Sequence, residues 1–281
     1  MKYLSFIPVF ITLAFANNNG CTETGSAVNP QVPASDDITL TVVNNWTVAD
    51  QVIGIDIIEG SSIFYVNAVC NEEDLLRAYD ALTGIPTGVT MPLAPANMYA
   101  WGVAWNNNLT TPAYCVNDFL KDDLYYHDGV SSWVTVPDPA GADSRGMDFD
   151  GTDYWETDGA GNLWRFQPGV SQESIAIPEV TEQISGLTVF PHGSNLGIAV
   201  TTYGINNIYF YQWNGSTMDF MACAACPAGN VHTSLGLAYS ETNEHIYWTY
   251  YDTSGNFHIT EFSFSITSLE RSSWGAIKSS F

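Results

Sequence analysis

An all-β fold built from five repeated units is what this sequence predicts. Three observations carry the prediction: a spaced glycine motif, apolar runs that keep phase with it, and polar turns between those runs. The motif glycine-aliphatic-x-apolar recurs as GIDI at Gly54, GVAW at Gly102, GMDF at Gly146, GLTV at Gly186 and GLAY at Gly236, at intervals of 48, 44, 40 and 50 residues. Each is followed by a second apolar or aromatic run: IFYV, PAYCV, DYWET, GIAVTT and HIYWTY. A polar turn comes next (NEED, LKDD, GAGN, GINN, SGN), and then a third run (LLRAYD, LYYHDG, LWRFQPG, IYFYQWNG, FHITEFSF). Third runs begin 21, 22, 17, 22 and 21 residues after their glycines, so two features share one phase. Short β-prone runs joined by turns that favour positive φ read as hairpins.

Four units end in a fourth run, VTMPL, WVTVP, SIAIP and DFMAC, whereas the fifth lacks one after FSFSI. The segment ITLTVVNNW, Ile38 to Trp46, precedes Gly54 at about the distance at which each fourth run precedes the next motif glycine. It is expected to lie beside the last unit as its outer strand and so close a ring. Five units over residues 38–267 give 46 residues each, the period of propeller blades. The expected fold is a five-bladed β-propeller closed by an N-terminal strand that completes the last blade. A β-sandwich also uses short, evenly spaced strands, but it does not explain a phase shared by all five units. The 14% aromatic content supplies large side chains to wedge between twisted sheets.

The flanks read differently. Residues 1–16 read as a signal peptide, with Lys2 ahead of an apolar core from Leu4 to Leu13 and the small-x-small site Ala14-Phe15-Ala16. That core is shorter than the roughly 20 residues a bilayer span requires, and no later segment approaches it. Residues 17–37 form a polar, Gly/Pro/Ser-rich flexible linker. Cys21 lacks the aliphatic residue that a lipobox places three positions earlier, where this chain has Asn18. Residues 268–281, SLERSSWGAIKSSF, form a separate tail in which Leu269, Trp274 and Ile277 would share one side of a short helix. Arg271 and Lys278 are two of only seven basic residues in the chain. The expected location is extracellular or at the cell surface.

Seven Lys+Arg against 30 Asp+Glu give a net charge of −23, which disfavours nucleic acid and anionic lipid as partners. It would attract divalent cations or a basic partner, and it keeps an exported protein soluble. Five cysteines leave an odd one. The pair Cys223 and Cys226 in CAAC is expected to form a disulfide, since no second CxxC completes a metal site. Pairing of Cys70 with Cys115 is left open.

The overall pattern resembles the β-propeller superfamily. LLRAYDALTG resembles the third-strand end of a quinoprotein-type repeat, whose turn is Tyr-Asp-x-x-Thr-Gly; only this copy is full, so the resemblance does not extend to quinone chemistry. TDGAGNLW resembles an Asp-box, but its spacing from Asp158 to Trp164 departs from that pattern, and it reads as an ordinary hairpin turn. The tail resembles Trp-Gly-x-Ile-Lys tails on secreted bacterial proteins.

Some five-bladed propellers are glycosidases, which need converging carboxylates. Asp56 and Asp148, each two residues after a motif glycine, and Glu156 in a second strand are the candidates. The equivalent first-strand positions hold Ala104, Thr188 and Ala238. The simpler reading of those aspartates is a hydrogen bond to the adjacent blade's backbone. No nucleophile elbow, P-loop or metal-helix motif occurs, and the five histidines lack ligand spacing. Weak calcium candidates are Glu72, Glu73 and Asp74 in one turn and Asp122 and Asp123 in the next; no other metal or cofactor is expected. Trp101, Trp105, Trp133 and Trp213 are candidates for stacking on sugar rings, and sequons stand at Asn45, Asn108 and Asn214.

These features favour a secreted, non-catalytic propeller that binds a glycan or an extracellular protein, copies of itself included. One alternative is a glycoside-processing enzyme with channel carboxylates. The other is an extracellular filament in which residues 38–46 complete a neighbour's last blade.

Overall fold

The computed structural model describes residues 37–60, 63–106, 113–127, 132–168, 171–204 and 206–267. The expected signal peptide, the linker up to residue 36, the tail, Cys21 and the Asn108 sequon lie outside them, while Asp37, expected as the linker's last residue, begins the first strand. The described residues hold twenty strands and no helix, arranged as five four-stranded sheets.

Blade 1 comprises β2 (Val52–Gly60), β3 (Ile63–Cys70), β4 (Leu75–Asp80) and β5 (Pro86–Pro92). Blade 2 comprises β6 (Ala100–Asn106), β7 (Ala113–Asp118), β8 (Asp123–His127) and β9 (Val134–Pro137). Blade 3 has the shortest inner strands, β10 (Met147–Phe149) and β11 (Tyr154–Thr157), followed by β12 (Asn162–Gln167) and β13 (Ser171–Ala176). Blade 4 comprises β14 (Ile184–His192), β15 (Asn195–Thr202), β16 (Asn207–Trp213) and β17 (Met218–Ala225). Blade 5 takes β18 (Val231–Ser240), β19 (His245–Asp252) and β20 (Phe257–Thr267), with β1 (Asp37–Val48) outermost. β1 runs antiparallel to β20 from Ile38 opposite Ile266 to Val48 opposite Phe257, with one register shift between Val42 and Asn44. The ring therefore closes as expected, with β1 on the chain's own last blade.

The motif glycines explain how five inner strands fit around one axis. A Cβ on Gly54 would lie 2.0 Å from the Trp101 carbonyl oxygen, and one on Gly102 would lie 2.2 Å from that of Arg145. One on Gly146 would lie 2.3 Å from the Leu187 nitrogen, one on Gly186 2.3 Å from the Leu235 oxygen, and one on Gly236 2.6 Å from the Ile53 oxygen. Each glycine thus meets the backbone of the next blade, and the fifth meets the first. The residue is required for close approach of backbones.

Five apolar clusters fill the seams between blades. Val69, Leu76 and Val103 join blades 1 and 2; Ala104, Leu124, Met147 and Phe166 join blades 2 and 3; Trp155, Ile184 and Tyr211 join blades 3 and 4. Phe210, Leu237, Trp248 and Phe262 join blades 4 and 5, and Ile55, Tyr79 and Tyr247 join blades 5 and 1. A sixth cluster lies on the axis.

The expected Cys223–Cys226 disulfide is not formed, because Cys226 keeps its thiol. β17 stays extended through Ala225, and three residues of strand span on the order of 10 Å, beyond the reach of a disulfide. The two side chains also serve different seams, Cys223 that of blades 3 and 4 and Cys226 that of blades 4 and 5. Cys70 and Cys115 are likewise buried free thiols, in different seams.

The turn at Asp158 has a second copy that the sequence reading passed over. Asp158 accepts from the backbone N–H groups of Ala160 and Asn162, from Asn162 Nδ2 and from Trp164 Nε1, all within 3.0 Å. Asp252 repeats this with Ser254, Asn256 and, at the ring position, His258. Gly161 and Gly255 both hold φ of +92°, which only glycine adopts without strain.

Candidate functional site at the axial mouth

The residues just before the motif glycines are Ile53, Trp101, Arg145, Ser185 and Leu235. Register shifts interrupt the ladders of blades 1, 2, 4 and 5 at this level, and such bulges re-aim side chains out of the sheet. The Trp101 indole, 6% exposed, crosses from blade 2 to blade 4 and donates from Nε1 to the Ser185 carbonyl at 2.7 Å. Ile53 and Leu235 pack with it, so the axis is plugged at this level.

Above the plug sits Arg145, only 3% exposed. Its Cζ lies 5.0 Å from the Trp101 ring centroid, 5.2 Å from Phe119 and 5.4 Å from Tyr203. Nε and Nη2 donate to Asp143 Oδ1 at 3.1 and 2.8 Å, and Nη1 donates to the Ile184 carbonyl at 3.2 Å. A desolvated guanidinium over an aromatic face is worth about 2 kcal/mol, and the carboxylate and carbonyl supply the acceptors that its buried N–H groups require. Asp143 adopts φ of +71°, a conformation non-glycine residues hold only when their surroundings compel it. Its carboxylate lies against Gly159, where a Cβ would come 1.8 Å from Oδ2.

Half-buried rings surround this centre. Tyr99 leads into β6, Phe119 follows β7, Tyr203 follows β15 and Tyr251 lies near the end of β19, all joined to the axial cluster. Phe119 is 5.1 Å from Trp101 and 6.0 Å from Tyr99, and Tyr203 is 6.0 Å from Trp101. Burial pushes the Tyr99 hydroxyl pKa up, and Tyr203 adds to the effect. The arrangement is a rigid aromatic surface around a fixed cation.

Asp56 and Asp148 do something else. Asp148 accepts from Phe149 N on its own strand, and from Thr188 Oγ1 and Val189 N on the next blade, each at 2.7 Å. Asp56 accepts from Ile57 N at 2.6 Å and from Trp105 N on the next blade. Both aspartates are buried. Burial raises the Asp148 pKa to about 6; burial, followed by the charge of Asp148, raises that of Asp56. These carboxylates clasp neighbouring blades.

Glu156 is fully buried, and its Oε1 accepts from Asn117 Nδ2 at 2.6 Å. Its other oxygen, like Asp138 Oδ2, is buried with no donor in reach, and these two neighbouring carboxyls are relieved when the pair holds a proton. Burial and the Asp138 charge raise the Glu156 pKa well above its ordinary value, which puts the proton on Glu156. Asn117 also donates to the Arg145 carbonyl and accepts from Gly102 N, each at 2.7 Å. Glu156 therefore braces the backbone beneath the mouth and offers no surface to a substrate.

Of the four candidate tryptophans only Trp101 lies at the mouth. The Trp105 backbone N–H is the one clasped by Asp56. Trp133 donates to the Pro92 carbonyl at 3.0 Å and packs on the seam of blades 1 and 2, and Trp213 packs against Trp155 in the seam of blades 3 and 4. The acidic turns do not converge: Glu73 pairs with Arg77 at 2.5 Å and Asp122 accepts from Ala142 N at 2.6 Å. Glu72, Asp74 and Asp123 join no such cluster either, since among the described residues no three His, Cys, Asp or Glu groups are placed to hold a metal ion. Sequence reasoning missed Arg145, Asp143, Tyr99, Phe119, Tyr203 and Tyr251. The available signal was the column before the motif glycine, which reads Ile, Trp, Arg, Ser, Leu and places one of seven basic residues on the axis.

Among solved structures, the chain is similar to the glutaminyl cyclase of Myxococcus xanthus, with a TM-score of 0.59 and 11% identity over 83% of this chain and 100% of that one. It is similar to the PQQ-bound aldose sugar dehydrogenase of Streptomyces coelicolor, with a TM-score of 0.52 and 10% identity over 82% and 99% of the two chains. It is also similar to a chain of a nidogen/laminin complex, with a TM-score of 0.51 and 12% identity over 79% and 87%. No family model and no curated protein matches it. At such identities the likeness is one of fold, which enzymes and binding proteins share, and by that fold the chain is a five-bladed β-propeller.

Proposed function

We propose that this protein is a secreted, non-catalytic binding propeller that takes a glycan on its axial mouth. The observation that carries the reading is the half-buried aromatic surface of Tyr99, Phe119, Tyr203 and Tyr251 around Arg145. Rigid rings stack on the apolar faces of sugars at low entropic cost, and flanking polar groups such as Asp143 supply orientation. The carboxylates a glycoside-processing enzyme would need, Asp56, Asp148 and Glu156, are committed to the scaffold, which favours binding over hydrolysis.

A glycan array probed with residues 17–281 tests the proposal, with Phe119→Ala and Tyr203→Ala alongside. Saturable binding that falls about tenfold or more in each variant, an amount expected for loss of a stacking ring, supports it. An array that stays blank, or binding indifferent to both substitutions, overturns it. Turnover of a glycoside abolished by Asp148→Asn would establish the enzymatic reading in its place.

A further inference from the structure

A second aromatic site lies at the opposite end of the inner strands, between blades 4 and 5. A cavity of about 470 Å³ opens there, walled by Phe190, Tyr239 and Phe264 and rimmed by His192, Glu241 and Glu244. The ring centroids of Phe190 lie 5.0 Å from Phe264 and 5.7 Å from Tyr239. Phe210 stacks beneath Phe264 at 5.5 Å. Glu241 and Glu244 are exposed, and both bear on the Tyr239 hydroxyl, whose pKa rises through burial first and through these two charges next. Among the described residues no Lys or Arg pairs with either glutamate. Aromatic walls under an acidic rim suit a cation attached to an apolar group.

The chain carries such a segment. Of its seven basic residues, Arg77, Arg145 and Arg165 are paired with carboxylates, and Lys121 donates to the Ala96 carbonyl. Lys2 stands at the far end of the chain, in the expected signal peptide, which leaves Arg271 and Lys278, on either side of Trp274. Ile266, at the end of β20, is itself part of the cavity wall. Four residues from Thr267 to Arg271 reach at most about 14 Å, far enough to bring Arg271 over a rim that begins beside Ile266. Tethering gives such a segment an effective concentration on the order of millimolar, so weak contacts hold it.

We propose that residues 268–281 dock into this cavity on their own propeller, with Trp274 against the ring wall and Arg271 and Lys278 over Glu241 and Glu244. Docking covers an apolar patch that a propeller would otherwise expose beside its last blade. The site is separate from the axial mouth, and neither reading depends on the other.

Limited trypsin digestion of residues 17–281 tests the proposal by following cleavage after Arg271 with mass spectrometry. Wild type is compared with Glu241→Gln/Glu244→Gln and with Trp274→Ala, after circular dichroism has confirmed that each is folded. Docking predicts cleavage about tenfold slower in wild type than in either variant, at a rate independent of protein concentration. Equal cleavage in all three, or protection that survives both variants, overturns the proposal. Protection that grows with protein concentration, alongside a dimer in light scattering, assigns the cavity to a second copy and overturns it equally.

Discussion

The seam between blades 4 and 5 and the seam between blades 2 and 3 are made from the same repeat with opposite chemistry. The first buries thirteen residues, among them Phe190, Phe210, Trp248 and Phe262, between inner strands of nine and ten residues. The second buries six, beside a β10 of three residues and a β11 of four. Its shortfall is filled by Asn117, Asp138, Ser144 and Glu156, all buried. Asn117 ties that network to the Arg145 carbonyl and to Gly102 N, so the polar seam carries the mouth and the apolar seam carries the stability. Hydrophobic burial is strong and non-directional, whereas a buried hydrogen-bond network fixes geometry at the cost of desolvation.

The largest effect expected from this contrast is in the apolar seam. Phe262→Ala, at a fully buried position, is predicted to lower unfolding free energy by about 3–5 kcal/mol in urea titrations. A loss under 1 kcal/mol would mean that the seam is not where stability resides.

The polar seam should reveal itself through pH. Glu156 keeps its proton in the folded state above the ordinary value of 4.5. The native state then binds more protons than the unfolded chain, and stability falls as pH rises above that value. Asp148, which clasps blades 3 and 4, adds a loss of the same sign between 3.8 and about 6, worth about 3 kcal/mol. Glu156→Gln can still donate to Asp138 and cannot ionise. It is predicted to flatten the loss on going from pH 5 to pH 8 and to leave the Asp148 step in place. Parallel wild-type and variant curves would show that Glu156 does not hold the proton.

Asn117→Ala should come next, at about 1–3 kcal/mol for the buried partners it strands. Its diagnostic effect is on the mouth: the axial backbone loses a support, so any glycan bound there should be lost more steeply than stability. A variant that is destabilised yet binds normally would separate the polar seam from the mouth.

The legible part of this molecule is the part that ring geometry dictates. Five backbones can meet around one axis only through residues without a Cβ, so Gly54, Gly102, Gly146, Gly186 and Gly236 stand in phase along the chain. The missing fourth run after FSFSI likewise pointed to β1. The mouth was less legible because its members come from different loops: Phe119 and Tyr203 meet over Arg145 although no spacing relates them. Tryptophans chosen by type fell mostly into seams; the one that lies at the mouth, Trp101, stood in the axial column. CxxC suggested a loop where the chain runs extended, and nothing near Glu156 in sequence announces Asp138, which arrives from the end of β9.

The smallest effect contrasts the two seams most directly. Burial raises the Cys226 thiol to about 12, and burial with the charge of Glu156 raises that of Cys115 well above its ordinary value. Both are buried and protonated, so reaction with Ellman's reagent requires the seam to open. In the seam of blades 4 and 5 opening exposes apolar surface, a cost that does not depend on pH. In the seam of blades 2 and 3 ionisation of the carboxyl pair favours opening, and its extent grows with pH. After each thiol's rate is corrected for reagent reactivity by labelling the unfolded protein at the same pH, the ratio of Cys115 to Cys226 labelling should rise between pH 5 and pH 8, and Glu156→Gln should abolish the rise. A constant ratio would mean that the two seams open as one unit, and that the propeller's polar and apolar contacts do not separate into independent functions.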